Sequence, residues 1–203
     1  MINSNKVNIA LLMLIPALMI QCGQSQEQDP SDQPHEQDSA GQQAELLDHI
    51  RPYCGYAYKG ETTFITLGDG DHPLQDPDLI MVLAQCGEDE IRIPFYVDDD
   101  RSRTWILSMR DEGLHLAHDH RYPDGTEHDD NMYGGWANDE GTSFIQYFPS
   151  DSSTIDDRPV RERNKWSVEI SPDTNEYIYS LFLEDELSYR AVFDLTDPHP
   201  TDI

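Results

Sequence analysis

Positively charged side chains are scarce in this 203-residue chain, which has 13 lysine and arginine residues against 40 aspartate and glutamate residues. With a formal net charge of −27, most of the surface repels phosphate backbones and anionic lipid headgroups. This scarcity argues against nucleic acid as a partner. The acidic residues are spread along the whole chain, which is typical of halophilic proteins, because high salt screens the repulsion among like charges.

The chain also lacks the short motifs that mark common catalytic sites. It contains no GxSxG nucleophile elbow, no Walker loop and no GxGxxG turn. After residue 44, helical periodicity is confined to a short turn over residues 45–51, which Pro52 ends. These absences favour a protein that is built from strands and has no enzymatic activity.

The first 21 residues have the pattern of a signal peptide. Lys6 precedes an apolar run over residues 9–20, which is too short to span a bilayer and has the length of the hydrophobic region of a secretory signal. Residues 18–22 resemble a bacterial lipoprotein signal, in which the cysteine, here Cys22, becomes the acylated first residue. The resemblance implies export to the cell envelope and anchoring in a membrane through lipid. A soluble secreted form is the alternative.

The segment after Cys22 is predicted to be a tether. Residues 23–44 contain seven glutamines and two prolines, with no lysine, arginine or aromatic residue. This composition buries too little apolar surface to offset the entropy of ordering, so we expect disorder over a Gln/Asp-rich segment from 22 to 52. Residues 53–203 then form a single β domain, because their length suits one hydrophobic core.

Two cysteines remain once Cys22 is assigned to lipid. Cys54 and Cys86 are 32 positions apart, and neither lies in a CxxC or CxxH context. An exported protein enters an oxidising environment, so we expect a disulfide between them. Loop entropy gives such a crosslink a stabilisation of about 3 to 4 kcal/mol.

From residue 53 onward, the sequence alternates between strand patterns and turn residues. Ile91, Ile93, Phe95 and Val97 alternate with polar or less apolar residues, so we expect them to face the core. Short turns rich in Asp, Gly and Pro separate most of the strands. The predicted strands cover residues 56–67, 79–85, 91–97, 103–110, 114–122, 126–133, 142–148, 165–170, 176–183 and 187–194.

These strands predict an all-β fold, an antiparallel meander of about ten strands. Such a meander buries its edges by closing into a barrel or by folding into a β-sandwich. We favour the closed barrel, in which the last strand pairs with the first. In outline this barrel is similar to lipocalin-like (calycin) and fatty-acid-binding barrels, and the similarity implies a small apolar ligand.

Four segments carry a resemblance to a family of secreted and lipoprotein-like bacterial envelope proteins to which no activity is assigned. They cover residues 90–95, 100–105, 113–121 and 132–135, and the resemblance extends over residues 54–195. It implies export to the envelope and adds no catalytic residue.

A histidine-rich hairpin is the strongest candidate for chemistry. His118, His120, His128 and Asp130 flank a Pro-Asp-Gly turn, and imidazole and carboxylate groups at cross-strand distance suit zinc, copper or iron. A hydrogen-bonded polar patch is the alternative. We expect a bulged turn to fix the register of this hairpin. The expected cross-strand pairs are Arg121–Glu127, His120–His128, His118–Asp130 and Leu116–Met132.

A basic cluster lies nearer the C-terminus. Arg158, Arg161, Arg163 and Lys165 fall within eight positions, so they are candidates to recruit an acidic partner or a carboxylate ligand. Internal pairing with the excess of acidic residues explains the cluster equally well.

Together the patterns predict a non-enzymatic envelope lipoprotein that binds a small ligand or another envelope protein. The alternative is a metal-binding protein or metal-dependent enzyme that uses the histidine hairpin.

Overall fold

The computed structural model describes residues 36–68, 70 and 72–202. The predicted signal peptide, Cys22 and the first part of the predicted tether lie outside the described residues. The helices are α1 (Glu36–Ile50) and α2 (Ser152–Asp157), with 3-10 helices at Arg51–Tyr53 and Pro159–Arg163. The strands are β1 (Ala57–Ile65), β2 (Leu79–Val82), β3 (Gln85–Cys86), β4 (Glu90–Val97), β5 (Asp100–Arg110), β6 (Gly113–His120), β7 (Tyr133–Trp136), β8 (Ile145–Pro149), β9 (Asn164–Ser171), β10 (Glu176–Leu183) and β11 (Glu186–Asp194).

The strands form an antiparallel sheet that is nearly closed into a barrel, as the sequence predicts. Their order is β7-β6-β5-β4-β2-β1-β11-β10-β9-β8, with β3 paired to β4 beside this path. The first and last strands pair with each other, with Gly60 opposite Phe193. The two ends of the sheet, β7 and β8, lie close together, and beside them the Asp151 amide donates to the Gly134 carbonyl at 3.1 Å.

The barrel interior is filled by alternating side chains of the strands. Ile91, Ile93, Phe95 and Val97 are between 0% and 4% exposed, which confirms the predicted inward face of β4. The Trp105 ring lies between two other rings, with its centroid 4.4 Å from that of Phe95 and 4.3 Å from that of Tyr179. In the described part of the chain, aromatic rings thus occupy volume that a hollow barrel leaves for a long apolar ligand.

Helix α1 is longer than the sequence predicts, and it includes residues expected to be a disordered tether. Leu46, Leu47 and Ile50 are at most 2% exposed and belong to the barrel core. The Gln43 side-chain carbonyl accepts a hydrogen bond from the Leu114 amide at 2.9 Å. A polar, glutamine-rich segment is helical here because its last apolar residues cover the end of the barrel where β6 begins.

No helix within residues 36–68, 70 and 72–202 has the length and apolar character needed to cross a membrane.

The predicted disulfide is present. Cys54 and Cys86 are bonded, with their Cα atoms 6.3 Å apart. The bond joins the segment before β1 to the short strand β3, and it therefore ties the chain that follows α1 to the barrel wall.

The predicted histidine hairpin is only partly formed. Arg121 and Glu127 make an isolated bridge, as expected, and the His128 amide donates to the His120 carbonyl at 3.0 Å. Beyond that point the expected register is wrong, because regular pairing resumes only at β7. The observed pairs are His118–Tyr133, Ala117–Gly134 and Leu116–Gly135, in place of His118–Asp130 and Leu116–Met132.

The register changes because the chain leaves the ladder over residues 129–131. The Asn131 side-chain carbonyl accepts a hydrogen bond from the His120 amide at 2.7 Å, in place of a strand partner. Met132 then has a left-handed backbone, with φ of 53°. These local side-chain bonds compete with strand pairing and replace part of the predicted strand by a loop.

Candidate functional site

The end of the barrel away from α1 contains a cavity of about 120 Å³, which we call the mouth cavity. It lies near the end of β6, whereas α1 contacts the start of that strand. The residues that line it are Leu67, Leu74, Phe95, Arg103, Trp105, His118, His120, Tyr133, Arg161, Trp166, Tyr179, Leu181 and Tyr189.

Strands β5 and β6 place the lining side chains at two levels. Trp105 is paired with His118, and Arg103 is paired with His120. Residues two positions apart on a strand share a face and are separated by about 7 Å along the strand. Arg103 and His120 therefore form the rim of the mouth cavity, and Trp105 and His118 form its floor.

His118 has a defined protonation state. Its Nδ1 atom is 3.0 Å from the Tyr133 carbonyl oxygen, and its Nε2 atom is 2.7 Å from the Tyr179 hydroxyl oxygen. Burial lowers the pKa of His118 to about 3, so the ring is neutral at pH 7. A carbonyl oxygen only accepts hydrogen bonds, so the single ring proton lies on Nδ1, and Tyr179 donates its proton to Nε2.

Tyr179 keeps that proton. Burial raises the pKa of Tyr179 well above its ordinary value, whereas burial lowers the pKa of His118. Transfer of the proton from Tyr179 to His118 is therefore strongly unfavourable. The pair is a fixed hydrogen bond at the floor of the cavity.

Tyr133 connects the floor to a cation at the rim. Its ring stacks on His118 with centroids 4.6 Å apart and an interplanar angle of 9°. The guanidinium carbon of Arg161 lies 3.6 Å from the Tyr133 ring centroid. Arg161 also forms an ion pair with Asp130, whose other carboxylate oxygen is 3.6 Å from Arg158. These contacts hold the Arg161 side chain in place beside the cavity.

The charge of the mouth cavity is opposite to that of the molecule. Arg103 and Arg161 line it, and no aspartate or glutamate in the described residues does. Their ion-pair partners, Asp100 and Asp130, are outside the lining. His120 adds no positive charge at pH 7, because burial lowers its pKa to about 4. The cavity therefore favours an anionic group over a cationic one.

The four predicted metal ligands lie in this region without converging. Both ring nitrogens of His118 have hydrogen-bond partners, and the His120 and His128 ring centroids are 6.3 Å apart. Asp130 is engaged by arginine. Across the described ranges, no three or more His, Cys, Asp or Glu side chains are grouped to hold a metal ion. Metal binding by these residues and the alternative of a hydrogen-bonded polar patch both stay predictions, and metal content after incubation with zinc or copper distinguishes them.

Of the basic cluster predicted from the sequence, Arg163 and Lys165 pair internally with Glu184 and Asp185, and Arg161 lines the cavity. Recruitment of an acidic partner or a carboxylate ligand by this cluster stays a prediction. Tyr179, Trp166 and Arg103 were missed, because in the sequence they are ordinary strand residues. Only the order of strands in the sheet brings them to one cavity.

A larger groove, of about 560 Å³, lies on the outer face of β5 and β6. It contains a His115–Asp151 pair, with Nε2 2.9 Å from the carboxylate oxygen. Its charges are of both signs, and Arg92 pairs with Glu90 at 2.7 Å. The charged side chains that line the mouth cavity are all positive, so this cavity discriminates more strongly between anionic and cationic ligands than the groove does.

The fold and the cavity define this molecule as an antiparallel β-barrel with one end covered by a helix and a small cationic cavity at the other. Comparison with protein-family models, with curated proteins and with solved structures finds no match to the chain. Its function is therefore argued from the site.

Proposed function

We propose that this protein is an exported, lipid-anchored envelope protein whose barrel binds a small anionic ligand in the mouth cavity. One observation carries the binding proposal. In a chain with a formal net charge of −27, the described residues that line the cavity include two arginines and no carboxylate. Guanidinium groups recognise carboxylates with two parallel hydrogen bonds, so an organic carboxylate is the ligand class that this lining favours.

The aromatic lining favours a flat, apolar body for that ligand. The rings of Trp105, Tyr133, Trp166 and Tyr179 border the cavity and give it an aromatic wall. A volume of about 120 Å³ is well below the range of pockets for drug-sized molecules. The ligand is therefore about the size of one aromatic ring with its anionic group at the rim, and a long acyl chain is too large.

The proposed export and lipid anchoring are supported by the sequence around Cys22 and by the disulfide, not by the cavity. The sequence resemblance at Cys22 favours acylation, and the Cys54–Cys86 disulfide is of the kind that persists in oxidising compartments. Mass spectrometry of the native protein tests this part, since it distinguishes an acylated N-terminal Cys22 from an intact N-terminus or from cleavage without lipid.

Titration with benzoate tests the binding proposal. We expect saturable binding by calorimetry, together with a change in tryptophan fluorescence, because Trp105 and Trp166 line the cavity. Arg161→Gln removes one charged donor and should weaken binding about 10- to 100-fold, the equivalent of a charge-assisted hydrogen bond.

Arg158→Gln is the matched control. Arg158 contacts the same carboxylate of Asp130 and does not line the mouth cavity. We expect this variant to bind benzoate within a factor of about two of the unsubstituted protein. No binding of benzoate, equal binding of the uncharged benzyl alcohol, or equal losses in the two variants would contradict the proposal.

A further inference from the structure

We infer that the ligand of the mouth cavity carries a hydrogen-bond donor, a hydroxyl or an N–H, at the end opposite its anionic group, and that Tyr179 is the residue that selects for it. The inference rests on the proposed function and narrows its ligand class from small carboxylates to small hydroxylated or amino-substituted carboxylates. It follows from the direction of each hydrogen bond at the floor of the cavity.

The series of hydrogen bonds at the floor of the cavity begins at the Tyr133 carbonyl group. The Tyr133 carbonyl oxygen accepts from Nδ1 of His118, and the neutral ring then has only a lone pair on Nε2. That lone pair accepts the hydroxyl proton of Tyr179 across 2.7 Å. Because this proton is committed to His118, the Tyr179 oxygen offers only lone pairs to a molecule in the cavity.

The rim of the cavity offers hydrogen-bond donors, whereas the Tyr179 oxygen at the floor offers only an acceptor. Arg103 and Arg161 carry donors and no acceptor, so they bind an anionic or strongly accepting group. A ligand that satisfies both ends therefore accepts at the rim and donates at the floor. A ligand with an acceptor at the floor places two oxygen atoms with facing lone pairs in a buried site, which costs binding free energy.

The spacing of the two ends follows from strand geometry. Arg103 and Trp105 are two positions apart on β5, as are His120 and His118 on β6, so the backbone positions of rim and floor are about 7 Å apart. One benzene ring with a carboxylate and a hydroxyl at opposite positions directs the two groups toward opposite ends of the cavity. Trp166 also lines the cavity and supplies an apolar surface for the ring of such a ligand.

Three probes of one shape test the inference: benzoate, 4-hydroxybenzoate and 4-methoxybenzoate. We expect 4-hydroxybenzoate to bind about 5- to 10-fold more tightly than benzoate, which is the contribution of one neutral hydrogen bond, and 4-methoxybenzoate to bind more weakly than both. In Tyr179→Phe the ratio between 4-hydroxybenzoate and benzoate should fall to about one, with benzoate binding retained.

Tyr177→Phe is the matched control. Tyr177 lies on the same strand, is fully buried against Phe193 and does not line the mouth cavity. Loss of its hydroxyl should leave the preference for 4-hydroxybenzoate unchanged.

A second variant, His118→Phe, removes the acceptor of the Tyr179 proton, so the Tyr179 hydroxyl becomes able to donate to a ligand. We expect 4-methoxybenzoate to gain affinity relative to benzoate in this variant.

The outcomes separate the two proposals. If benzoate does not bind, the proposed function fails. If benzoate binds and the three probes have equal affinity, the proposed function stands and the inference is wrong. An unchanged preference for 4-hydroxybenzoate over benzoate in Tyr179→Phe also overturns the inference. Where Tyr179→Phe does not fold, an unchanged affinity ratio between 4-methoxybenzoate and benzoate in His118→Phe does so.

Discussion

A neutral histidine inside the barrel, His118, makes the stability of the fold depend on pH. Burial lowers its pKa to about 3, whereas an unfolded chain binds the same proton near the ordinary value of 6.5. Below pH 6.5 the unfolded state is therefore protonated first, and acid favours unfolding. The contribution of the buried neutral ring is fully present above pH 6.5 and is lost as the pH falls toward 3.

His118→Gln should reduce this acid sensitivity. Across the window from pH 6.5 to pH 5, the free energy of unfolding of the unsubstituted protein should fall by about 1.6 kcal/mol more than that of the variant, because the unfolded histidine goes from half to almost fully protonated and a full proton is equivalent to about 1.4 kcal/mol per pH unit. Urea unfolding at a series of pH values measures the difference. Above pH 7.5 the two profiles should run parallel, and parallel profiles below pH 6 would show that His118 is not buried as a neutral ring.

At the scale of elements, two glycines allow the barrel to close. A Cβ atom on Gly134 would lie 1.8 Å from the Leu116 carbonyl oxygen, and one on Gly135 would lie 1.8 Å from the Pro149 carbonyl oxygen. Any side chain at either position would therefore push β7 away from its neighbours. Glycine is needed here because of the close approach of two backbones.

Gly135→Ala should open the junction between β7 and β8. We expect it to lower the free energy of unfolding by about 2 to 3 kcal/mol, because the backbone must shift to accept the methyl group. Thermal and urea unfolding measure this change. The control is Gly41→Ala in α1, where an added Cβ meets nothing within 4 Å.

The control should act in the opposite direction. Alanine favours an exposed helix over glycine by about 0.5 to 1 kcal/mol, so Gly41→Ala should stabilise the protein slightly. Destabilisation by Gly41→Ala would contradict the extension of α1 to this residue. Equal effects of the two substitutions would contradict the role of Gly135 in barrel closure.

At the scale of the whole molecule, repulsion among acidic side chains opposes folding. The chain carries a formal net charge of −27, and its arginines form ion pairs such as Arg92–Glu90 at 2.7 Å and Arg121–Asp119 at 2.8 Å. These pairs neutralise only a minority of the 40 acidic residues. The net repulsion is therefore long-range, and salt weakens it.

Salt should raise the melting temperature. The Debye length falls from about 10 Å at 0.1 M to about 3 Å at 1 M, so we expect Tm to rise by at least about 3 °C, the equivalent of roughly 1 kcal/mol for a chain of this size. Calorimetry in sodium chloride measures the change. Screening acts mostly at the lower concentrations, so most of the rise should occur below about 0.5 M. A Tm that does not change with salt would contradict the halophilic prediction.

Much of the fold could be predicted because its signals are local. Alternation along a strand specifies which face is buried, and it identified the inward residues Ile91 and Phe95 without reference to any partner. Chemistry and spacing likewise identified the Cys54–Cys86 bond. A meander of short hairpins also predicted that the last strand pairs with the first.

Only the tertiary structure decided the site. Arg103, Arg161 and Tyr179 come from β5, a 3-10 helix and β10, and they meet because the sheet curves until its two ends are close. The predicted register of the histidine hairpin was wrong because the side chain of Asn131 replaces a strand partner of His120. Side-chain and main-chain hydrogen bonds of similar strength compete at this point. Local periodicity determines which face of each strand is buried, but the convergence of side chains depends on which strands become neighbours, and that is decided by packing of the whole core.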